Sequence, residues 1–402
     1  MIKLGQVKHV FANRTRWASY ALSLSGALAL AGCSTVVPKG PQTEAPPPAP
    51  TTTQQQPVGP SQLPQDVGRH RVALLVPTTG RNAAVGQAIA NAANMAVLDT
   101  GGQTIRVTIY DTGPGATAAA EKALAEGNQL ILGPLLSEDA RAVAPLARNA
   151  HVPVVSFSND RSVGGDGVWV MGFTPSQAIN RVVSYAHEHG ANSFAGLAPV
   201  GVYGQRASTA LLRATQEVGG QVVAMESYDH SRQSMQAAVT KLKLSAAYDA
   251  VLIADQGKDA IVLAPLVRRT GGAHAQILGT ELWNVANDLH AVPELQGAWF
   301  ASVSDGLFDQ LAAKYRARFG KMPPRLASFG YDSVLLAMKI AGDWKNGGAF
   351  PVNKLTDKGG FSGIDGVFRF TKEGVAERGL QVNQITATGI KIVSPAPQTL
   401  GN

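Results

Sequence analysis

The stretch Arg71-Val72-Ala73-Leu74-Leu75-Val76-Pro77-Thr78-Thr79-Gly80 decides the fold of this chain. Its residues 72–76 form a continuous apolar run, which is the pattern of a strand that is buried on both faces. A loop rich in Thr, Gly and Pro follows, and residues 84–98 have the composition of a helix. A buried strand, a loop and a helix in this order are typical of a parallel α/β sheet.

The same alternation continues outward from this stretch in two series. The first series predicts strands near residues 105–110, 130–132, 152–155 and 169–171. The second predicts strands near residues 194–197, 221–225, 250–253 and 276–278. Helical segments separate the strands, as in parallel sheets with right-handed crossovers. Two such series predict two doubly wound lobes.

The remainder of the chain adds helices and strands to both lobes. Helices are predicted near residues 312–319 and 328–344, and strands near 361–370 and 380–392, with a turn at 371–374. We therefore predict an α/β fold with two doubly wound parallel-sheet lobes after a disordered Pro-rich tether. The bilobed domain covers residues 70–402, with lobe 1 at about 70–174 plus 303–346 and lobe 2 at about 175–302 plus 347–395. Such folds bind ligands at the carboxyl ends of their strands, here between the lobes.

Composition narrows the class of protein further. Of 402 residues 45% are apolar, which is enough for sizeable cores, and a single cysteine excludes a disulfide framework and a Cys-cluster metal site. The formal charge is +7. The first 32 residues contain four Lys or Arg and no acid, so the remainder carries 31 basic and 28 acidic residues. This net charge of +3 argues against a nucleic-acid-binding protein.

The N-terminus has the pattern of an export signal. A basic segment over residues 3–16 precedes fifteen small and apolar residues at 17–31, which are too few to span a membrane comfortably. Leu30-Ala31-Gly32-Cys33 resembles the lipobox of bacterial lipoproteins, with the alternative that Cys33 is a buried structural residue. The resemblance implies a signal peptide at 1–32 and acylation of Cys33. Ser34, a residue other than Asp, implies sorting to the outer membrane.

A Pro-rich segment separates the predicted anchor from the body. Residues 38–64 contain nine prolines among Thr, Gln and Ala, and this composition cannot bury a core. We assign residues 33–69 to the lipid anchor and a disordered linker. At roughly 3.1 Å per residue, a Pro-rich stretch of about 30 residues reaches up to about 90 Å.

Several fragments carry a family resemblance over about residues 70–395. Four of them resemble the periplasmic binding protein type I group, the Leu/Ile/Val-binding kind. They are the first strand with its loop, Gly133-Pro134-Leu135-Leu136-Ser137, Val152-Pro153-Val154-Val155-Ser156 and Tyr203-Gly204-Gln205. Two further fragments are closest to one branch of this group, the penicillin-binding protein activators. They are Gly279-Thr280-Glu281-Leu282-Trp283-Asn284 and Pro324-Arg325-Leu326-Ala327. That resemblance implies an outer-membrane lipoprotein that stimulates a peptidoglycan synthase.

Candidate ligand-binding residues of lobe 1 follow its strands. Thr78 and Thr79 end the first strand, and Ser156 and Ser158 end the fourth, where hydroxyl groups can face a ligand. Ser137 starts a helix, where it is either an ordinary N-cap or part of a carboxylate site.

Lobe 2 offers Tyr203 and Glu281. Glu281 is either a partner for a ligand ammonium group or a solvated loop charge. Amino-acid receptors of the family commonly carry an Asp just before the Tyr-Gly pair, whereas Gly201 and Val202 precede Tyr203 here. This difference weakens the prediction of a free amino acid as ligand. Trp283 is expected to pack rather than to bind.

Motifs of common enzymes are missing from the sequence. It contains no Walker-type phosphate loop, no His-Glu-x-x-His and no Gly-x-Ser-x-Gly elbow. His187 and His189 fall on different faces of a helix, and the other histidines show no metal-ligand spacing. The sequence therefore predicts a protein that is not an enzyme and that needs neither a cofactor nor a metal.

Two functions remain. The leading hypothesis is a non-catalytic, lipid-anchored protein on the periplasmic face of the cell envelope, in the outer membrane, that activates a peptidoglycan synthase (a penicillin-binding protein). The alternative is the substrate-binding lipoprotein of an amino-acid ABC transporter, with a small-molecule ligand such as an amino acid. The membrane anchor and the reach of the linker favour the first.

Overall fold

The computed structural model describes residues 68–285 and 288–400. The predicted signal peptide, Cys33 and the Pro-rich segment lie outside the described residues. Among the residues that are described, no helix has the length and apolar character needed to cross a membrane.

The first lobe is built around a five-stranded parallel sheet in the order β2-β1-β3-β4-β5. Its elements are β1 His70–Val76, α1 Ala83–Asp99, β2 Ile105–Asp111, α2 Ala116–Ala125, β3 Leu130–Leu132, α3 Ser137–Asn149, β4 Val154–Ser156 and β5 Val168–Val170. Residues 72–76 of β1 are fully buried, as their apolar run predicts. The predicted strands of this series and the helix predicted at 84–98 are confirmed within two residues at each end.

The second lobe is built around a seven-stranded sheet in the order β15-β14-β10-β9-β8-β6-β7. Its elements are α4 Pro175–Glu188, β6 Ser193–Pro199, α5 Val202–Glu217, β7 Gln221–Tyr228, α6 Arg232–Leu244, β8 Ala250–Ile253, α7 Gly257–Thr270, β9 Gln276–Gly279, β10 Trp299–Ser302, β14 Gln381–Thr386 and β15 Gly389–Ser394. The last two strands are antiparallel additions. The sheet is therefore mixed rather than purely parallel, and the single strand predicted near 380–392 is a hairpin.

Two further helices, α8 Gly306–Phe319 and α9 Ala327–Ala341, return to the first lobe. Gly330 of α9 lies so close to α1 that a Cβ there would be 2.0 Å from the carbonyl oxygen of Ile89. The Asn91 side chain of α1 donates to the Tyr315 hydroxyl of α8 at 2.9 Å. Short 3-10 turns occupy Arg161–Val163, Glu281–Val285, Leu289–Ala291, Pro293–Leu295 and Val352–Thr356.

A third, antiparallel sheet consists of β11 Phe361–Gly363, β12 Gly366–Phe370 and β13 Ala376–Arg378. Its apolar side chains Phe361, Phe368 and Phe370 join the core of the first lobe. The sequence predicts that residues 347–395 belong to lobe 2, whereas the phenylalanines of this sheet pack in the core of the first lobe. The phenylalanines need an apolar surface, and the first lobe supplies one: the Phe370 ring meets Trp169 of β5 edge-on at 5.6 Å.

A buried carboxylate fixes the third sheet to α9. Asp332 accepts hydrogen bonds from the backbone amides of Ile364 at 2.6 Å and of Asp365 at 3.4 Å. A Cβ on Gly363 would lie 2.4 Å from the same carboxylate, so only glycine fits there. Burial and the neighbouring Asp365 raise the pKa of Asp332 to about 7.

The chain crosses between the two lobes three times, after β5, after β10 and after β13. The first crossing ends at Thr174, which forms a capping box with Gln177 and is followed by Pro175 at the first position of α4. These crossings bring the carboxyl ends of both sheets to a common space, where the candidate site lies.

Candidate functional site

Asp111, at the end of β2, holds the loop that follows β1. Its carboxylate accepts hydrogen bonds from the Thr78 amide at 2.7 Å and from the Thr79 hydroxyl at 2.6 Å. Burial opposes its ionisation, but the hydrogen bonds from Thr79, Gly113 and Thr78 outweigh burial and lower the pKa of Asp111 to about 2. The Thr79 hydroxyl, a candidate ligand group, is thus bonded within the protein.

Ser156 and Ser158 lie at the end of β4, as predicted, but both are buried. The Ser156 hydroxyl donates to the carbonyl oxygen of Pro134 at 3.0 Å and accepts from the Ser158 amide at 3.2 Å. The Ser158 hydroxyl accepts from the Asp160 amide at 3.0 Å. These contacts shape the loop after β4.

Ser137 is the first residue of α3, and Leu136 occupies the N-cap position before it. Of the two alternatives for Ser137, the N-cap role is therefore excluded. Its hydroxyl donates to the Glu138 carboxylate at 3.3 Å. That carboxylate and Asp139 put negative charge in the first turn of the helix, where an anionic ligand would have to bind.

Tyr203, in the first turn of α5, and Glu281, in the segment after β9, lie close together in the second lobe. Gly201, with a φ of 110°, precedes α5 and directs the chain into the turn that carries Tyr203. The Tyr203 hydroxyl lies 3.2 Å from the Thr280 hydroxyl and donates weakly to Glu281 Oε1 at 3.5 Å. Burial and the neighbouring Glu281 raise the pKa of Tyr203.

Glu281 is the candidate with unused hydrogen-bonding capacity. Its Oε2 atom is buried and has no hydrogen-bond partner among the described residues. Burial raises the pKa of Glu281 to about 7. The side chain lines a cavity of about 730 Å³ between the lobes. A buried acid in a cavity can receive a proton or a cationic group.

First-lobe residues form the opposite wall of this cavity, among them Phe308, Arg325 and Leu326. The Arg325 guanidinium stacks over the Phe308 ring at 4.4 Å. It also pairs with Asp365 at 2.8 Å and with Asp305 at 2.5 Å, so two carboxylates balance its charge. Trp283, next to Glu281, is fully buried and donates to the carbonyl oxygen of Asp255 at 3.1 Å, which confirms its packing role.

An ion-pair cluster that the sequence did not predict connects the two lobes. Asp160, which follows β4, pairs with Arg206 of α5 at 2.6 Å and with Arg141 of α3. Arg206 also donates to the Asn159 side chain at 3.2 Å. Hydrogen bonds from Ser162, together with the two arginines, outweigh burial and lower the pKa of Asp160. We call Asp160, Arg206 and Arg141 the interlobe clasp.

A second group that the sequence did not predict comprises Tyr228, His230, Asp255 and Asp259, at the carboxyl edge of the second sheet. The histidine spacing gave no sign of it, because the fold brings His230 beside acids from a different loop. The Tyr228 hydroxyl donates to Asp255 at 2.8 Å.

Comparison with known proteins agrees with this architecture. A family model described as periplasmic binding protein matches residues 70–389. The uncharacterized protein RP748 of Rickettsia prowazekii is 26% identical over 177 residues, which are 44% of this chain and 47% of that protein. The match thus spans about half the length of this relative.

Two solved proteins illustrate the structural likeness. The leucine binding protein LivK of Thermotoga maritima is 20% identical with a TM-score of 0.57, over 81% of this chain and 98% of that one. The C-domain of LpoA from Haemophilus influenzae, described as a regulator of PBP1A, is 18% identical with a TM-score of 0.64, over 80% of this chain and 99% of that one. Of full-length LpoA, the match covers 58%. At these identities the likeness establishes the fold.

Proposed function

Because the chain belongs to the periplasmic binding protein family, we propose that its leucine-binding-like body is the working part of a non-catalytic, lipid-anchored envelope protein. In this proposal Cys33 carries the lipid anchor, the outer membrane holds it, and the body lies on the periplasmic side. The body binds and activates a peptidoglycan synthase, a penicillin-binding protein.

The chemistry of the cleft carries this proposal. A free amino acid needs donors for its carboxylate, and the hydroxyls of the candidates Thr79 and Ser156 already donate to the protein itself. Ser158 is buried. Among the described residues that line the cavity, the guanidinium group is that of Arg325, which already has two carboxylate partners. A body that keeps the fold without these free donors fits a protein-binding role better than amino-acid capture. The likeness to the LpoA C-domain points in the same direction.

The test uses the body, residues 69–402, and a purified synthase from the same cell. The described residues from 68 onward belong to one compact unit, and the hydrophobic core clusters found among them lie between Val72 and Ile385. The body is expected to bind the synthase and to raise its glycan-polymerising or peptide-crosslinking rate. A peptide of residues 33–69 serves as the control and should do neither. If the body neither binds nor stimulates any synthase of that cell, the proposal is wrong.

Glu281 supports a second candidate function, the substrate-binding lipoprotein of an amino-acid ABC transporter. Its buried, unpartnered Oε2 in a cavity of about 730 Å³ could receive a ligand ammonium group. A bound ligand at 100 times its Kd stabilises a protein by about 2.7 kcal/mol. We expect no rise in melting temperature across the common amino acids. A clear rise that Glu281→Gln or Ser137→Ala abolishes would reverse the order of the two functions.

A further inference from the structure

Loops from two strands of the second sheet bring an imidazole and two carboxylates together. His230 follows β7, Asp255 follows β8, and Asp259 lies in the first turn of α7. One ligand atom from each of the three lies within 4.8 Å of the others. His230 Nε2 is 2.9 Å from Asp255 Oδ2.

Asp259 supplies an independent sign that this group is incomplete. Only 7% of the residue is exposed, and its Oδ2 atom has no hydrogen-bond partner among the described residues. A buried carboxylate oxygen without a partner costs free energy, and a bound cation would supply the missing interaction. The side chain that lacks this hydrogen-bond partner, Asp259, is also the one that contributes the third ligand atom of the group.

We propose that His230, Asp255 and Asp259 form a binding site for a divalent transition-metal cation of the Zn²⁺ class. One imidazole nitrogen and two carboxylate oxygens suit Zn²⁺, Co²⁺, Ni²⁺ and Mn²⁺, whereas Mg²⁺ and Ca²⁺ prefer oxygen ligands alone. Zinc bonds of about 2.0–2.2 Å put the ligand atoms of a tetrahedral site roughly 3.3 Å apart. That separation falls between the 2.9 Å of the His230–Asp255 contact and the 4.8 Å limit of the whole group.

Other contacts fit such a site. The Tyr228 hydroxyl donates to Asp255 at 2.8 Å, and a partner of this kind orients a metal ligand from outside the coordination sphere. The His230 side chain is 45% exposed, which gives a cation a path from solvent. Three protein ligands leave at least one position for water or for an acidic group of a bound molecule.

The test is a calorimetric titration of the body, residues 69–402, with Zn²⁺ alone. We expect one Zn²⁺ site per chain. His230→Asn and Asp259→Asn should each weaken Zn²⁺ binding at least tenfold, because losing even a residue that only supports a metal ligand typically weakens binding by about tenfold or more. His151→Asn is the matched control. His151 is exposed and shares the left-handed backbone of His230, with φ of 55° against 67°, and asparagine accepts that conformation in both places. Its binding should equal that of the unmodified body.

A second measurement separates a metal site from a hydrogen-bond cluster. Zn²⁺ should raise the melting temperature of the unmodified body and not that of Asp259→Asn, while without metal this variant should melt no lower than the parent, because it removes an unpartnered charge. Co²⁺ should give the visible absorption of a bound, low-symmetry ion. The proposal is overturned if no single-site binding is found, or if Asp259→Asn binds Zn²⁺ as tightly as the parent. Either result leaves synthase activation untouched, because that assay contains no added metal.

Discussion

At Glu281, one carboxylate oxygen is buried without a hydrogen-bond partner, and burial raises the pKa of the group from 4.5 to about 7. The folded state therefore binds a proton more tightly than the unfolded chain does. Between about pH 4.5 and pH 7, the contribution of Glu281 to the free energy of unfolding falls as the pH rises, by up to about 3 kcal/mol. The same charge that would hold a ligand ammonium group thus costs stability at neutral pH.

Glu281→Gln is expected to remove this part of the pH dependence. Denaturant unfolding at several pH values would show a flatter profile for the variant, and a higher stability than the parent at pH 7.5. Glu217→Gln is the control, because Glu217 is exposed at the end of α5 and should leave the profile unchanged. Parallel profiles for the parent and Glu281→Gln would show that Glu281 is already ionised at low pH.

Residue chemistry also shows how far the sequence could predict this site. Strand ends located Ser156 and Ser158 correctly, because the apolar run before them must be buried. Whether a hydroxyl faces a ligand or the carbonyl oxygen of Pro134 depends on a contact between residues 22 positions apart, and spacing along the chain does not encode it. Arg206 and Asp160 of the interlobe clasp are 46 positions apart, so spacing along the chain does not encode their contact either.

At the scale of elements, both lobes begin with the same close approach of a helix to a strand end. Gly86 of α1 faces Pro77, which follows β1, and Gly204 of α5 faces Pro199 at the end of β6. A Cβ would lie 1.9 Å from the carbonyl oxygen of Pro77 in the first case and 1.7 Å from that of Pro199 in the second. Glycine is required at both positions because a side chain would push the helix away from its sheet.

Gly86→Ala and Gly204→Ala should therefore each destabilise the body by about 1–3 kcal/mol or more, as overpacking does. Gly342→Ala is the matched control, since a Cβ there would lie 3.9 Å from its nearest neighbour and its φ of −62° suits alanine. Urea midpoints at constant m-value would measure the three variants. Equal midpoints for all three would contradict the requirement for glycine.

Elements that pack locally were predictable, and those that depend on distant partners were not. The central strands β1, β3 and β8 are apolar runs whose pattern predicts their burial, and helices separate the strands along the chain. The third sheet is different: Phe361 and Phe368 could pack on either lobe, and the aromatic surface of the first lobe decides between them. The β14–β15 hairpin was predicted as one strand because its turn, after Thr386, contains a single glycine.

At the scale of the molecule, the interlobe clasp fixes how the lobes meet. The Asp160 side chain is 4% exposed and pairs with arginines of both lobes. Asp160→Asn should therefore lower the free energy of unfolding by about 2 kcal/mol or more. It should also increase the radius of gyration. Asp166→Asn breaks the ion pair between Asp166 and Arg148, whose side chains are 83% and 55% exposed, respectively. This change should lower the free energy of unfolding by less than about 1 kcal/mol. Small-angle scattering and urea unfolding would compare the two. An unchanged radius in Asp160→Asn would mean that the three chain crossings alone hold the lobes.

The reach of the Pro-rich segment decides whether an anchored body can contact its proposed partner. An outer-membrane anchor must bridge much of the periplasm to an inner-membrane synthase, and the predicted linker spans up to about 90 Å. Binding should use the lobes, because a segment of Pro, Thr and Gln offers few of the Trp, Tyr or Arg anchors that dominate interfaces. Halving residues 38–64 in the full lipoprotein should therefore abolish function in cells, while the body, residues 69–402, still stimulates the synthase in solution. A replacement of equal length and Pro content but shuffled order is the control and should complement. If the halved form complements fully, reach is not the purpose of the segment, and the body must contact a partner close to its own membrane.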